Sequence, residues 1–371
     1  MIVLFALGSN GAGQLGIGHK EDVSVPKQAR FSSDLTSPIA SICAGGNHTL
    51  LLTRSGALFS AGDTDAGARG MLTPDQRSMR PQFQPVDLPV SEQDYQPFKV
   101  GLAAATWTAS VITRLDPDSN KSTQVYTFGT GTKGELGLGD FIFRTVTPSA
   151  IPDFPPPGTH VIDLSACMSH VVAVLSNGDV WGWGNGRKGQ LGAPEEVVQA
   201  PRRIEGLGFK VVRAVCGTEF TCLFGAAETG EIAVLGSDKW EIKTKAPSNA
   251  AGWKEVGASW GDIYVLREDG ILLSWGRDDH GQIAPAGLSK TERIAVGSEH
   301  AVALGEDGNV VAWGWGEHGN CGPIGNASEN GKGQQNVIAS SRFVPPGAKI
   351  TTIGAGCATS WVAIEMPTED T

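Results

Sequence analysis

The sequence predicts an all-β fold: a seven-bladed β-propeller that takes residues 1–371 as one domain, closed by the N-terminal strand pairing with the C-terminal blade. Three observations carry this expectation. A glycine-marked phrase returns seven times, a second apolar phrase interleaves with it, and the first strand has no partner in its own unit. Composition agrees, because 50 of 371 residues are glycine, 21 are proline and only 18% are charged. Such a balance suits short strands joined by tight turns, where glycine reaches the positive φ that turns require.

The first phrase is an apolar or aromatic residue, Gly, a few small polar residues and often Gly-Gln-Leu-Gly. It reads Leu7-Gly8 with Gly13-Gln14-Leu15-Gly16, Phe128-Gly129 with Gly134-Glu135-Leu136-Gly137, and Trp183-Gly184 with Gly189-Gln190-Leu191-Gly192. Trp275-Gly276 and Trp315-Gly316 are further copies, while Ala61-Gly62 and Leu235-Gly236 are degraded ones. A fixed phrase at intervals of this size marks a repeat architecture. The second phrase is an apolar pair, a small-residue turn, often His, then a strand ending at Asn177-Gly178, Asp269-Gly270 or Asp307-Gly308. Those dipeptides are hairpin signals. Each unit is then a small antiparallel sheet unable to bury both faces alone, and radial packing solves that problem. Closure follows because residues 353–364 lack a following strand and residues 2–7 lack a preceding one. Irregular insertions fall near 63–99, 140–160 and 317–349, with Pro155-Pro156-Pro157 and residues 330–335 reading as mobile loops.

Acids outnumber bases by 39 to 29, a formal charge of −10. A free-standing binder of nucleic acid or anionic membrane would carry a basic surface, so neither is an expected partner. The apolar residues 1–7 are too few for a signal peptide or a membrane span, which places the chain in the cytoplasm, with the nucleus as a second compartment. Six cysteines without a C-x-x-C pair read as free thiols.

Several candidate sites dissolve when read in register. Gly129-Thr130-Gly131 through Gly134, and Gly184-Asn185-Gly186 through Gly189, satisfy the dinucleotide pattern G-x-G-x-x-G, but both are the repeat's own turn and neither opens a helix. His48, His170 and His300 occupy one slot in different blades, so they cannot converge on a metal, and each reads as a hydrogen bond to a neighbouring turn. Cys43, Cys167, Cys216 and Cys357 fall where Ala or Gly also serve, so small size explains them. No nucleophile sits with a base in a catalytic pattern, and the chain reads as a binding protein without a catalytic residue, metal site or cofactor of its own.

Tryptophans and acids are more informative. Trp183, Trp275 and Trp315 belong to the repeat and are expected between blades, with Trp181 and Trp313 also in the core. Trp107 and Trp260 sit instead in the loop before the His slot, either as interface anchors or as caps on blade ends. If equivalent loops share a face, those rings and Asp262, Asp278, Asp279, Glu299, Glu317 and His318 form a partner-binding surface, with a solvated acidic rim as the alternative.

Units of this type resemble the regulator-of-chromosome-condensation repeat family over nearly the whole chain. Trp313-Gly314-Trp315-Gly316-Glu317-His318-Gly319-Asn320-Cys321-Gly322-Pro323, Gly356-Cys357-Ala358-Thr359-Ser360-Trp361, and Phe5-Ala6-Leu7-Gly8-Ser9-Asn10-Gly11 narrow the resemblance to a fungal branch. That branch implies one partner, a small CSL-type zinc-finger protein held as a heterodimer. It also implies a role in Elongator-dependent tRNA wobble-uridine modification and in diphthamide synthesis on translation elongation factor 2. Zinc or iron would then belong to the partner. The family's founding member implies an alternative, guanine-nucleotide exchange on a small GTPase.

Overall fold

The computed structural model describes residues 1–70, 75, 80–90, 98–323 and 335–367. Its strands run antiparallel in hairpin succession. One sheet joins β1 (Ile2–Gly8) and β2 (Val23–Gln28) to the last two strands, and the next holds β3 (Ile39–Ala44), β4 (His48–Thr53), β5 (Leu58–Gly62) and β6 (Gln84–Pro85). Then come β7 (Val100–Ala105), β8 (Ala109–Leu115), β9 (Ser122–Thr130) and β10 (Arg144–Ala150), followed by β11 (Val161–Cys167), β12 (His170–Leu175), β13 (Val180–Asn185) and β14 (Val197–Ile204). Two three-stranded sheets follow. They are β15 (Arg213–Cys216), β16 (Phe220–Phe224) and β17 (Ile232–Gly236), then β18 (Trp253–Ala258), β19 (Asp262–Arg267) and β20 (Leu272–Gly276). The chain ends with β21 (Thr291–Val296), β22 (His300–Gly305), β23 (Asn309–Gly314) and β24 (Asn336–Ser340), then β25 (Lys349–Ala355) and β26 (Thr359–Glu365).

The fold is an all-β propeller, but the expectation of seven discrete blades is corrected. Among the described residues the strands hydrogen-bond into six sheets: three of four strands, two of three, and one of eight. The eight-stranded sheet arises where the long β9 reaches Val161 of β11 through a bridge at Ser122. The three-stranded sheets lack an outer strand for local reasons. After β17 the chain turns into a 3-10 segment (Lys239–Glu241), and Ile242 beyond it accepts a 2.9 Å bond from Trp275 Nε1. After β20 it runs through a loop carrying Pro285, which cannot donate to a ladder.

The innermost strands pack in a circle: β3 on β7, β7 on β11, β11 on β15, β15 on β18, β18 on β21, β21 on β25, and β25 on β3. The second strand of each hairpin is covered on both faces, which is why Leu50-Leu51-Leu52 and Val171 through Leu175 read as continuous apolar runs. β1 lies beside β26 in unbroken register from Ile2↔Glu365 to Gly8↔Thr359. Leu4, Ala6 and Trp361 are buried together on one side of this pair, and Leu7 and Val362 on the other, so both strands enter the same two apolar clusters.

At that seam Gly8 has φ +114°, and a Cβ would lie 2.2 Å from the Ala358 carbonyl oxygen. Gly8→Ala should therefore cost about 1–3 kcal/mol in denaturant unfolding. Gly11→Ala, in open space three residues on, should be close to neutral.

Two expectations about the repeat change in register. In the sixth hairpin the glycine opposite the His slot is Gly314 (φ +101°), not Gly316, because His300 pairs with Gly314 as His170 pairs with Gly184. The aromatic that fills the core there is accordingly Trp313, while Trp315 is shifted out to 38% exposure and stacks on His280. The three histidines bond to hydroxyls on the neighbouring unit's second strand rather than to a turn. His48 meets Ser110 at 3.1 Å, His170 meets Thr221 at 3.1 Å and His300 meets Ser360 at 2.9 Å. Ser110 and Ser360 give their single hydrogens to the carbonyls of Ala68 and Asn320, so His48 and His300 must donate from Nε2. Burial pushes all three imidazoles down to about 4. The loop at Pro155-Pro156-Pro157 is pinned, since Phe154 packs 5.6 Å from the rings of both Trp181 and Trp183. Residues 330–334 of the other expected mobile loop lie outside the described residues.

Candidate protein-binding face

Each innermost strand ends in a short turn, and the second strand then starts opposite the glycine that closes the third. His48↔Gly62, Ala109↔Gly129, Phe220↔Gly236 and Asp262↔Gly276 repeat this pairing. Glycine is required because the backbones touch: a Cβ on Gly276 would lie 2.2 Å from the Gly261 carbonyl oxygen. The close approach draws the loop after the third strand onto the preceding turn, as in Arg277 N–H to Gly261 O (3.1 Å) and Trp315 N–H to Glu299 O (2.8 Å). Both kinds of loop therefore share one face of the propeller. The turns are also bonded to each other around the axis, Gly46 to Trp107, Trp107 to Met168, Thr218 to Trp260, and Trp260 to Ser298.

The structure brings Trp107 and Trp260 together across the mouth of the axial channel. Their rings lie 5.9 Å apart at 48°, with Trp107 38% exposed and resting on Gly46. Below them is a cavity of about 300 Å³ lined by Cys43, Cys167, Cys216, Cys357 and small residues. Burial pushes Cys43 and Cys216 up to about 12 and Cys167 further, so these thiols are poor nucleophiles. Among the described residues no group of three or more His, Cys, Asp or Glu is placed to hold a metal ion.

The remaining candidates divide into surface and subsurface groups. Glu317 and His318 are exposed, and His318 Nδ1 pairs with Asp22 at 2.9 Å. Asp279 takes two contacts from Arg277, at 2.7 and 2.8 Å, and Asp278 occupies the same loop. Glu299 and Asp262 are buried beneath the surface of this face. Glu299 pairs with Arg277 and accepts from Gln282 Nε2 at 2.9 Å. Asp262 stands in the slot that histidine fills elsewhere, but the facing position is Ala301 and offers no hydroxyl. It accepts from Ser259 Oγ at 2.5 Å, and its Oδ1 has no partner. Burial pushes its carboxyl up to about 8; Glu299 adds to the rise, while the Ser259 hydroxyl and Arg277 oppose it.

Sequence reasoning left two exposed groups on this face out of the candidate set. Trp240 follows β17, with the Arg277 guanidinium and the Lys239 ammonium each 5.2 Å from its ring centroid. Phe141, Ile142 and Phe143 form an exposed apolar tip, with Phe143 O accepting from Gly131 N–H in the loop after β9. Three apolar residues in a row inside an irregular insertion were the available signal for the second.

Comparison with known proteins agrees with this architecture. The model of the RCC1-like domain matches residues 3–362. An RCC1 repeat-containing protein of Schizosaccharomyces pombe is 32% identical, over 98% of this chain and 99% of its own length. The secretion-regulating guanine nucleotide exchange factor of Mus musculus is 27% identical over 76% of this chain, which spans 61% of that protein. Among solved structures, Prp20p from Saccharomyces cerevisiae superposes with a TM-score of 0.78 at 21% identity, covering 100% of this chain and 92% of that one, a likeness of fold alone. With a repeat that closes on its own first strand and a family match over almost its full length, this chain belongs to the RCC1-like domain family.

Proposed function

We propose that this protein is a non-enzymatic binding partner and regulator of a small CSL-type zinc-finger electron-carrier protein. In that role it supports Elongator-dependent tRNA wobble-uridine modification and diphthamide synthesis on translation elongation factor 2. The resemblance behind this reading is to the fungal α-tubulin suppressor protein of the killer-toxin-insensitive set, through the opening, 313–323 and 356–361 segments quoted above. Zinc or iron is expected on the partner.

The observation that carries the reading is the face itself: loops from separate units hydrogen-bonded around the axis, with Trp107 and Trp260 paired at its centre. A half-exposed aromatic pair on a rigid frame, surrounded by charge, is the usual make-up of an interface anchor. The channel thiols, pushed up from their ordinary values, are poor nucleophiles, which favours binding over catalysis. Size-exclusion chromatography of the purified chain with the zinc-finger protein should give a one-to-one complex. Trp260→Ala should weaken it about tenfold or more by calorimetry. Unchanged affinity would remove Trp260 from the interface, and two separate peaks would remove the partner.

A second reading, exchange of guanine nucleotide on a small GTPase, is favoured by the likeness to the mouse exchange factor. Purified protein accelerating nucleotide release from such a GTPase would place it first.

A further inference from the structure

A second cavity, of about 280 Å³, opens on the same face between Trp240 and Trp260, with Glu219 and Glu299 in its lining. Its outer wall is built at a conformational cost. Trp240 and Glu241 both adopt left-handed backbone, φ 63° and 57°, which bulky side chains avoid. Asp238 holds that loop, accepting from the backbone of Lys243 at 2.7 Å and from the Thr244 hydroxyl at 2.6 Å. The result is an indole 40% exposed and facing the cavity.

The Trp240 ring already serves as a platform for cations, since Arg277 and Lys239 both lie over it. Carboxylates nevertheless outnumber those two cations. Glu219 and Glu299 line the cavity, and Asp278 and Asp279 lie in the loop that carries Arg277. Of these acids Glu299 is buried and Glu219 partly so. Aromatic walls over a surplus of poorly solvated negative charge favour a cation. A planar guanidinium stacks on indole better than an ammonium does.

We propose that the cavity between Trp240 and Trp260 receives an arginine side chain from a protein partner. The Lys239 ammonium swings aside as the guanidinium enters. This rests on the reading that the face docks a protein, and it names the chemistry of one anchor.

The test is a titration of the full chain with acetyl-Gly-Arg-Gly-amide and with its citrulline counterpart, followed by the indole N–H signals of Trp240 and Trp260. The arginine peptide should shift both signals saturably and the neutral citrulline peptide should not. Trp240→Ala should weaken binding about tenfold. Lys239→Ala, which removes the competing cation, should tighten it. Equal responses to the two peptides, an unaltered affinity in Trp240→Ala, or weaker binding in Lys239→Ala would overturn the proposal. A zinc-finger complex weakened by Trp260→Ala but untouched by Trp240→Ala would sink the arginine site and leave the docking face standing. Specific arginine-peptide binding with no zinc-finger complex would do the reverse.

Discussion

Relative to the wild-type protein, Asp262→Asn should gain about 4 kcal/mol of stability as the pH is raised from about 5 to about 9. The folded-state carboxyl sits at about 8, against an ordinary value of 3.8. A raised acid holds its proton more tightly when folded. Its contribution is therefore full at low pH, starts to fall above 3.8, and is gone once the pH has risen through 8. Asparagine carries no such proton and no such dependence. His48, His170 and His300 act in the opposite sense, because imidazoles lowered to about 4 from 6.5 withdraw stability as the pH falls through that range. They are present in both proteins, so the difference between variant and wild type isolates Asp262. Urea unfolding at three pH values measures it. Parallel curves would show that the buried carboxyl is ionised throughout.

Trp183→Ala should be the costliest single truncation of the core, at about 3–5 kcal/mol. The ring is fully buried within the largest apolar cluster and packs against Phe154. Its Nε1 also donates at 3.0 Å to the carbonyl of Glu135, 48 residues earlier, in the loop that follows β9. The substitution leaves a large void and an unpaired buried carbonyl between neighbouring units. Trp315→Ala, at a position that looks equivalent in sequence but is exposed, should cost less than 1 kcal/mol by the ordinary range for surface changes. Denaturant midpoints of the two variants check both numbers. Similar losses would contradict the register assigned at Gly314.

That pair of residues also shows how far the chain could be read before the structure. The all-β propeller was legible because the glycines before each loop meet a backbone carbonyl and tolerate no side chain, which stamps a visible period on the sequence. Pairing of residues 2–7 with the last strand was legible for the same reason, as an unmatched half-phrase at each end. The blade count was not, because sheet membership depends on single bridges such as Ser122 to Val161 and on whether a loop straightens into an outer strand. In the Trp313–Gly316 stretch two aromatic-glycine pairs lie side by side, and only the pairing of His300 with Gly314 decides between them. Trp107 and Trp260 could be singled out as loop aromatics, but not their meeting across the axis, since they come from units far apart in sequence. Asp262 and Glu299 looked like surface acids, yet three-dimensional crowding buries both.

The seam between β1 and β26 bears on how this molecule is made. Ile2 leaves the ribosome long before its partner Glu365. While the residues between them are made, the apolar side of β1 must wait without its native cover. Sealing is thus a late, concerted event of high contact order, slow by the general rule for non-local pairing. Nascent chains halted before residue 359 should present an open sheet edge, a natural target for chaperones.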